Sequence, residues 1–175
     1  MARIFLTHPP EALEKYYGAK AFAALRAVAE VRINPLAREL SVAELADAAQ
    51  DCALVVSYRQ TPGPAELFER MPNLLAFSRC AIDIRNVDVA AASRAGVLVT
   101  QASAGFIASV SEWTIGAMID LSRNLTSMTM AYHAGHVPAA PMGRELRGAT
   151  LGLIGYGQIS RTSANSPCRS ACGCW

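Results

Sequence analysis

GATLGLIGYGQIS, from Gly148 to Ser160, decides how this chain is read. Thr150 to Ile154 has the composition of a short buried strand, Gly155-Tyr156-Gly157 is a tight turn, and Gln158-Ile159 opens a helix. Strand, glycine turn and helix in that order make a dinucleotide-binding start. Glycines let the chain turn sharply and let the backbone approach a pyrophosphate, whose charge then sits at a helix N-terminus. Ser160 stands where the third glycine of such a fingerprint falls. A complete unit adds a crossover helix, a second strand and an acidic residue about 20 positions on that holds the ribose. The stretch from Ser160 to Trp175 is expected to hold none of these: RTSANSPCRSACGCW lacks helical periodicity and carries a Pro and a Gly. Two readings of that tail stay open, a natural flexible terminus and a reading frame lost near Ile159.

Upstream, strands and helices alternate. Arg3 to Thr7 is β-rich and ends at Pro9-Pro10. Leu13, Tyr17, Ala21, Leu25 and Val28 recur at three- and four-residue spacing, which predicts one helix from Glu11 to Ala29. Val31 to Ile33 is a short strand, and Ser41 with Glu44 forms a capping box. ALVVS, Ala53 to Ser57, is continuously apolar, as in a sheet covered on both faces. The turn from Thr61 to Pro64 leads into a short helix ending near Met71-Pro72. Leu74 to Ser78 is a strand, Val87 to Arg94 a helix stopped at Gly96, and Val97 to Thr100 a strand. This order predicts a doubly wound parallel sheet, whose ligands bind beyond the carboxyl ends of the strands, here after Thr7, Ser57, Ser78 and Thr100. Ile107 to Asn124 is a helix apolar nearly all round, expected to be buried between domains or subunits. A Pro/Gly/His loop runs from Tyr132 to Gly143.

With 52% hydrophobic and 17% charged residues, the 175-residue chain has ample core material, which excludes general disorder. A net charge of +2, with no Lys/Arg run longer than two, argues against nucleic acid or an anionic membrane as partner. The apolar run in MARIFLTHPP is too short for a signal peptide, and no stretch is long enough to span a bilayer. The expectation is a soluble cytoplasmic protein. Cys168, Cys172 and Cys174 crowd the C-terminus without a CxxC pair or partnering histidine, so no metal site is assigned.

Three stretches together resemble the D-isomer-specific 2-hydroxyacid dehydrogenase family, which includes phosphoglycerate dehydrogenases. They are RCAIDIRNVDVAAASRAGVLVT (Arg79 to Thr100), QASAGFIASVSEWTIGAMIDL (Gln101 to Leu121) and ELRGATLGLIGYGQI (Glu145 to Ile159). Asn86, Asp88, Ser109 and Glu112 match the family pattern. Ala81 and Asp83 occupy its usual glycine positions, Arg85 replaces a common aspartate, and Gln101 and Phe106 stand where asparagines are frequent. The resemblance implies a flavodoxin-like substrate-binding domain over residues 1–100. The interdomain helix and the start of an NAD-binding Rossmann domain would span 101–159, with an aberrant tail over 160–175. It implies that backbone amides of Cys80, Ala81 and Ile82 meet a substrate carboxylate, as turn amides can. Gly155, Tyr156, Gly157, Gln158, Ile159 and Ser109 would meet NAD or NADP. The family's catalytic arginine, acid and histidine lie downstream of the nucleotide turn, so no catalytic residue is assigned to this chain.

The leading reading is thus the N-terminal portion of an NAD(P)-dependent oxidoreductase acting on 2-hydroxy or 2-oxo acids, truncated or frame-shifted after Ile159 and inactive alone. Its rivals are a non-catalytic module that dimerises through the helix beginning near Ile107, and a free-standing flavodoxin-like ligand binder. His8, before Pro9-Pro10, reads as a loop residue, and His133 and His136 as solvated.

Overall fold

The computed structural model describes residues 1–165 and the backbone of 172–174. The chain divides into two compact units, Met1–Ser103 and Ala104–Trp175.

In the first unit, β1 (Arg3–Leu6), β2 (Glu30–Ile33), β3 (Leu54–Ser57), β4 (Ala76–Arg79) and β5 (Leu98–Gln101) form one sheet in the order β2-β1-β3-β4-β5. Every pairing is parallel. This is the flavodoxin-like doubly wound order, with its reversal of direction at β1. Alternation along the strands sorts side chains to two faces. Phe5, Val55 and Phe77 face α3 (Val42–Ala48), α4 (Ala65–Arg70) and α5 (Val89–Arg94) in the larger core, while Ile4 and Leu6 face α1 (Pro10–Tyr16) and α2 (Ala19–Val28) in the smaller. The apolar run ALVVS occupies the middle of the sheet as expected.

The helix expected from Glu11 to Ala29 is two helices. Tyr17 is extended at φ −107° and ψ 113°, and Gly18 is extended at the N-cap of α2. Periodicity runs through the break because Leu13, Tyr17, Phe22 and Leu25 all pack on the smaller core. The capping box at α3 is present: Ser41 Oγ accepts from the Glu44 amide at 3.2 Å, and Glu44 Oε2 accepts from the Ser41 amide at 2.8 Å. Arg38 grips the same carboxylate at 2.7 and 2.9 Å and, with the Ser41 bonds, holds Glu44 down to about 2.

The second unit holds α6 (Ile107–Arg123), α7 (Leu125–His133), β6 (Ala149–Leu151), α8 (Gln158–Asn165) and β7 (Cys172–Cys174). Three sequence expectations are corrected here. Tyr132 and His133, expected in a loop, end a helix over Leu125–His133, which is started by Asp120, whose carboxylate accepts from the Thr126 amide and hydroxyl, each at 2.6 Å. The strand expected over Thr150 to Ile154 is found at Ala149–Leu151, where its ladder among the described residues is the parallel one with Cys172–Cys174. The residues after Ser160 continue α8 to Asn165 and burial reaches Ser163 and Ala164, so a crossover helix and a short second strand do follow the turn. Cys168 and Pro167 lie outside the described residues.

Within the single chain α6 keeps much of its surface exposed. Only Ser111 of that helix is buried, while Trp113 and Leu121 are 74% and 82% exposed. No helix among the described residues is long and apolar enough to cross a membrane.

Gly63 sits where the β3–α4 loop meets the core. A Cβ there would stand 3.1 Å from Val87, 3.3 Å from Phe68 and 3.4 Å from Phe77, and the two phenylalanines are locked edge to face. Gly63→Ala should therefore lower the unfolding free energy by about 1–3 kcal/mol in urea titrations followed by circular dichroism. An unchanged midpoint would show that the core yields at this point.

Candidate functional site

The parallel ladders align Leu6 with Val56 and Ser57 with Arg79, so the chain leaves β1, β3 and β4 on one edge. Thr7 begins the site. Its Oγ1 accepts from the Tyr58 amide at 2.8 Å and lies 2.6 Å from Thr61 Oγ1. Asn34, fully buried, donates to the carbonyls of Thr7 and Arg38 at 3.2 and 2.8 Å, tying the end of β2 to the same edge.

A hollow of about 250 Å³ opens at this edge, lined by His8, Tyr16, Tyr17, Tyr58, Arg59 and Cys80. His8 is 1% exposed, its ring 5.1 Å from those of both Tyr17 and Tyr58. Its Nδ1 is buried without a hydrogen-bond partner among the described residues, as is Ser57 Oγ. His8 is a loop residue as expected, yet its buried ring is a wall of the hollow; the Pro-Pro sequence hides this because it reports backbone, not side-chain direction. Burial pulls His8 down from 6.5 to about 4, so its imidazole is neutral at pH 7. Tyr17 places its hydroxyl 3.9 Å from Cys80 Sγ, and burial pushes both groups upward, so Cys80 stays a thiol. His133 and His136 are exposed as expected, although His133 closes α7 and is no loop residue.

The turn after β4 carries the substrate-binding residues read from sequence. Cys80 donates its amide to Ser57 O at 3.0 Å, so that N–H belongs to the sheet. The amides of Ala81 and Ile82 have no partner among the described residues. Ala81 O accepts from Ala102 at 3.1 Å. Since C=O and N–H of one planar peptide point in opposite directions, this turns the Ile82 N–H away from Ala102. Arg79, 5% exposed, donates Nε to Asp83 O at 2.6 Å. Its remaining nitrogens donate to the Tyr58 and Thr61 carbonyls, both at 3.3 Å, and to the Arg59 carbonyl. Asp83, at a glycine position of the family pattern, is gripped by Arg85 at 2.6 to 3.0 Å and held far below the usual carboxylate range. Asn86 donates to Thr61 O at 3.3 Å, and Asp88 caps α5 through the Ala91 amide at 2.8 Å. Sequence reasoning missed Arg79, Tyr17 and Tyr58; Arg79 and Tyr58 stand at or just past strand ends, and Tyr17 at the C-cap of α1.

In the second unit, Gly155 takes φ +86°, a left-handed conformation that glycine allows. Gly155, Tyr156, Gly157 and Gln158 are exposed and Ile159 half-buried. The first intrahelical bond of α8 runs from the Arg161 amide to Gly157 O at 3.0 Å, so the amides before Arg161 lie at the open N-terminal end. A Cβ on Gly157 would meet nothing within 4 Å, leaving room for a pyrophosphate to approach the backbone. Ser109 is exposed and donates to Phe106 O at 3.0 Å. Ser111 is the α6 serine that reaches this turn, donating to Ile159 O at 3.2 Å. No cluster of three or more metal-ligating side chains occurs among the described residues.

A family profile described as D-isomer specific 2-hydroxyacid dehydrogenase, catalytic domain, matches residues 5–166. The chain belongs to that family. Among its relatives, an (S)-sulfolactate dehydrogenase of Chromohalobacter salexigens is 38% identical over 113 residues, 64% of this chain and 36% of its own length. A D-3-phosphoglycerate dehydrogenase of Rattus norvegicus is 34% identical over 130 residues, 74% of this chain and 24% of its own length. The chain thus spans about a quarter to a third of the length of these relatives. Its fold is shared with an acyclic imino acid reductase solved with NADPH and D-Arg, at TM-score 0.79 and 16% identity, over 97% of this chain and 54% of that one.

His8 gives this edge a pH signature. Its folded value lies below its unfolded one, so between 6.5 and 4 the unfolded chain holds more protons and stability falls as pH falls. The slope approaches about 1.4 kcal/mol per pH unit for one proton. Chemical denaturation between pH 6.5 and 5, above the range where Glu44 and Asp83 add their own loss, should show this slope. His8→Gln should flatten it; an equal slope in the variant would remove His8 as the cause.

Proposed function

We propose that this chain supplies the substrate-binding unit and the first nucleotide-binding turn of an NAD(P)-dependent oxidoreductase acting on the CH–OH group of 2-hydroxy acids. The observation that carries the proposal is the pair of unpartnered amides at Ala81 and Ile82, beside the hollow at the carboxyl edge of a sheet of this family. Two adjacent N–H donors are suited to a carboxylate, and the hollow beside them takes the rest of a small acid. Cys80 contributes its side chain to the wall, since its amide is spent on Ser57. The turn Gly155 to Ile159 fits the pyrophosphate of a dinucleotide: Gly155 bends the chain, Gly157 keeps the backbone clear, and the end of α8 offers amides. When bound, the nicotinamide supplies or accepts the hydride. No Asp or Glu follows Glu145, so the ribose partner that separates NAD from NADP is not among these residues.

No residue here is assigned as acid or base, and the 175 residues alone should bind without turning over. Calorimetry with glyoxylate and hydroxypyruvate, run beside an NADH oxidation assay, tests this. Binding with no oxidation above buffer is the expected pair of results. Robust NADH-dependent reduction would overturn the inactivity, and absence of binding would overturn the substrate-binding role.

A second reading is favoured by the exposed apolar surface of α6 and α7. Trp113, Leu121, Leu125, Met130 and Tyr132 are each at least half exposed, the kind of patch that marks an interface. Two copies would pair through the helix beginning at Ile107. Light scattering should return a dimer mass, and Trp113→Glu with Leu121→Glu should return a monomer; a monomer from the unaltered chain excludes the pairing.

A further inference from the structure

We infer that Arg79 is a positioning residue for the carboxylate of the bound acid, both as the clasp that shapes the Ala81-Ile82 turn and as the charge that draws an anion to it. The inference rests on the substrate-binding reading above. The chain leaves Arg79, passes through Cys80, Ala81 and Ile82, and returns at Asp83, where its carbonyl accepts from Arg79 Nε at 2.6 Å. The side chain therefore spans the turn. Its other nitrogens fasten the β3–α4 loop through the carbonyls of Tyr58, Arg59 and Thr61. One guanidinium thus sets the spacing between Tyr58 of the hollow and the two unpartnered amides. A planar fork can hold several acceptors at once in a way that an ammonium cannot.

Arg79 is nearly fully buried, yet every acceptor it meets is a neutral carbonyl, and no carboxylate lies within 4 Å among the described residues. The nearby carboxylate, Asp83, is taken up by Arg85. Arginine stays protonated in proteins, so burial leaves a weakly screened positive charge beneath the turn. An anion on the Ala81 and Ile82 amides would be its counter-charge. Building a buried cation without a carboxylate partner costs stability, and an anion-binding turn above it accounts for the arrangement.

The test compares oxamate, a carboxylate shaped like a 2-oxo acid, with oxamide, its uncharged analogue, binding to the full chain by calorimetry. The unaltered chain should favour oxamate. Arg79→Gln should weaken oxamate by about tenfold or more and leave oxamide within about threefold, as expected for removal of a buried charge facing an anion. Arg79→Lys should keep the preference for oxamate while lowering the melting temperature, because the charge survives and the clasp does not. Equal weakening of both ligands in Arg79→Gln would reduce Arg79 to a structural role and overturn the inference, as would unchanged oxamate binding. Should Arg79→Gln fail to fold, Arg79→Lys decides: loss of its oxamate preference overturns the inference. Failure of oxamate to bind the unaltered chain would sink the substrate-binding reading itself.

Discussion

Parallel pairing is the constraint from which the rest follows. Strands that all run one way leave all their carboxyl ends on one edge, so residues far apart in sequence, His8, Tyr58 and Cys80, line one hollow. The connections from β1 to β2 and from β3 to β4 leave in opposite directions, and the loops part where the order reverses. Loops at such an edge need internal fastening, because their backbone groups are partly buried and must find partners. Thr7, Asn34 and Arg79 meet that need with side-chain bonds to neighbouring backbone. What they leave over, the amides of Ala81 and Ile82, is what the site has to offer a ligand.

Much of the first unit was legible in the sequence because its signals are local. ALVVS reads as a buried strand and becomes the centre of the sheet; Ser41 and Glu44 read as a capping box and form one. The break at Tyr17-Gly18 was not legible, since the same apolar positions serve two helices packed on one core. Nor were the roles of His8 and Arg79. Each depends on what surrounds a side chain after folding, and a lone histidine or arginine at a strand end carries no spacing that reveals it.

The second unit shows where local signals mislead. The apolar residues of α6 that suggested burial between domains or subunits include Trp113 and Leu121, which the single chain leaves exposed. The tail looked unfit for helix, yet Ser163 and Ala164 are small enough to pack as α8 lies along α6. Among the described residues, Ser111 and Ile159 join these helices by a single side-chain bond. The three-residue ladder between β6 and β7 adds little to that. The contrast with the well-packed first unit is one of buried apolar surface, and it places the more robust structure at the turn after β4.

The central claim is that the turn after β4 receives a carboxylate on two amides that the fold leaves unpartnered. Mapping backbone amide shifts by ¹H–¹⁵N spectroscopy during an oxamate titration tests it most directly. The account predicts the largest shifts at Ala81 and Ile82, with a small shift at Cys80, whose N–H is held by Ser57. Shifts confined to the Gly155 to Ile159 turn, or scattered over the surface with Ala81 and Ile82 unmoved, would contradict it.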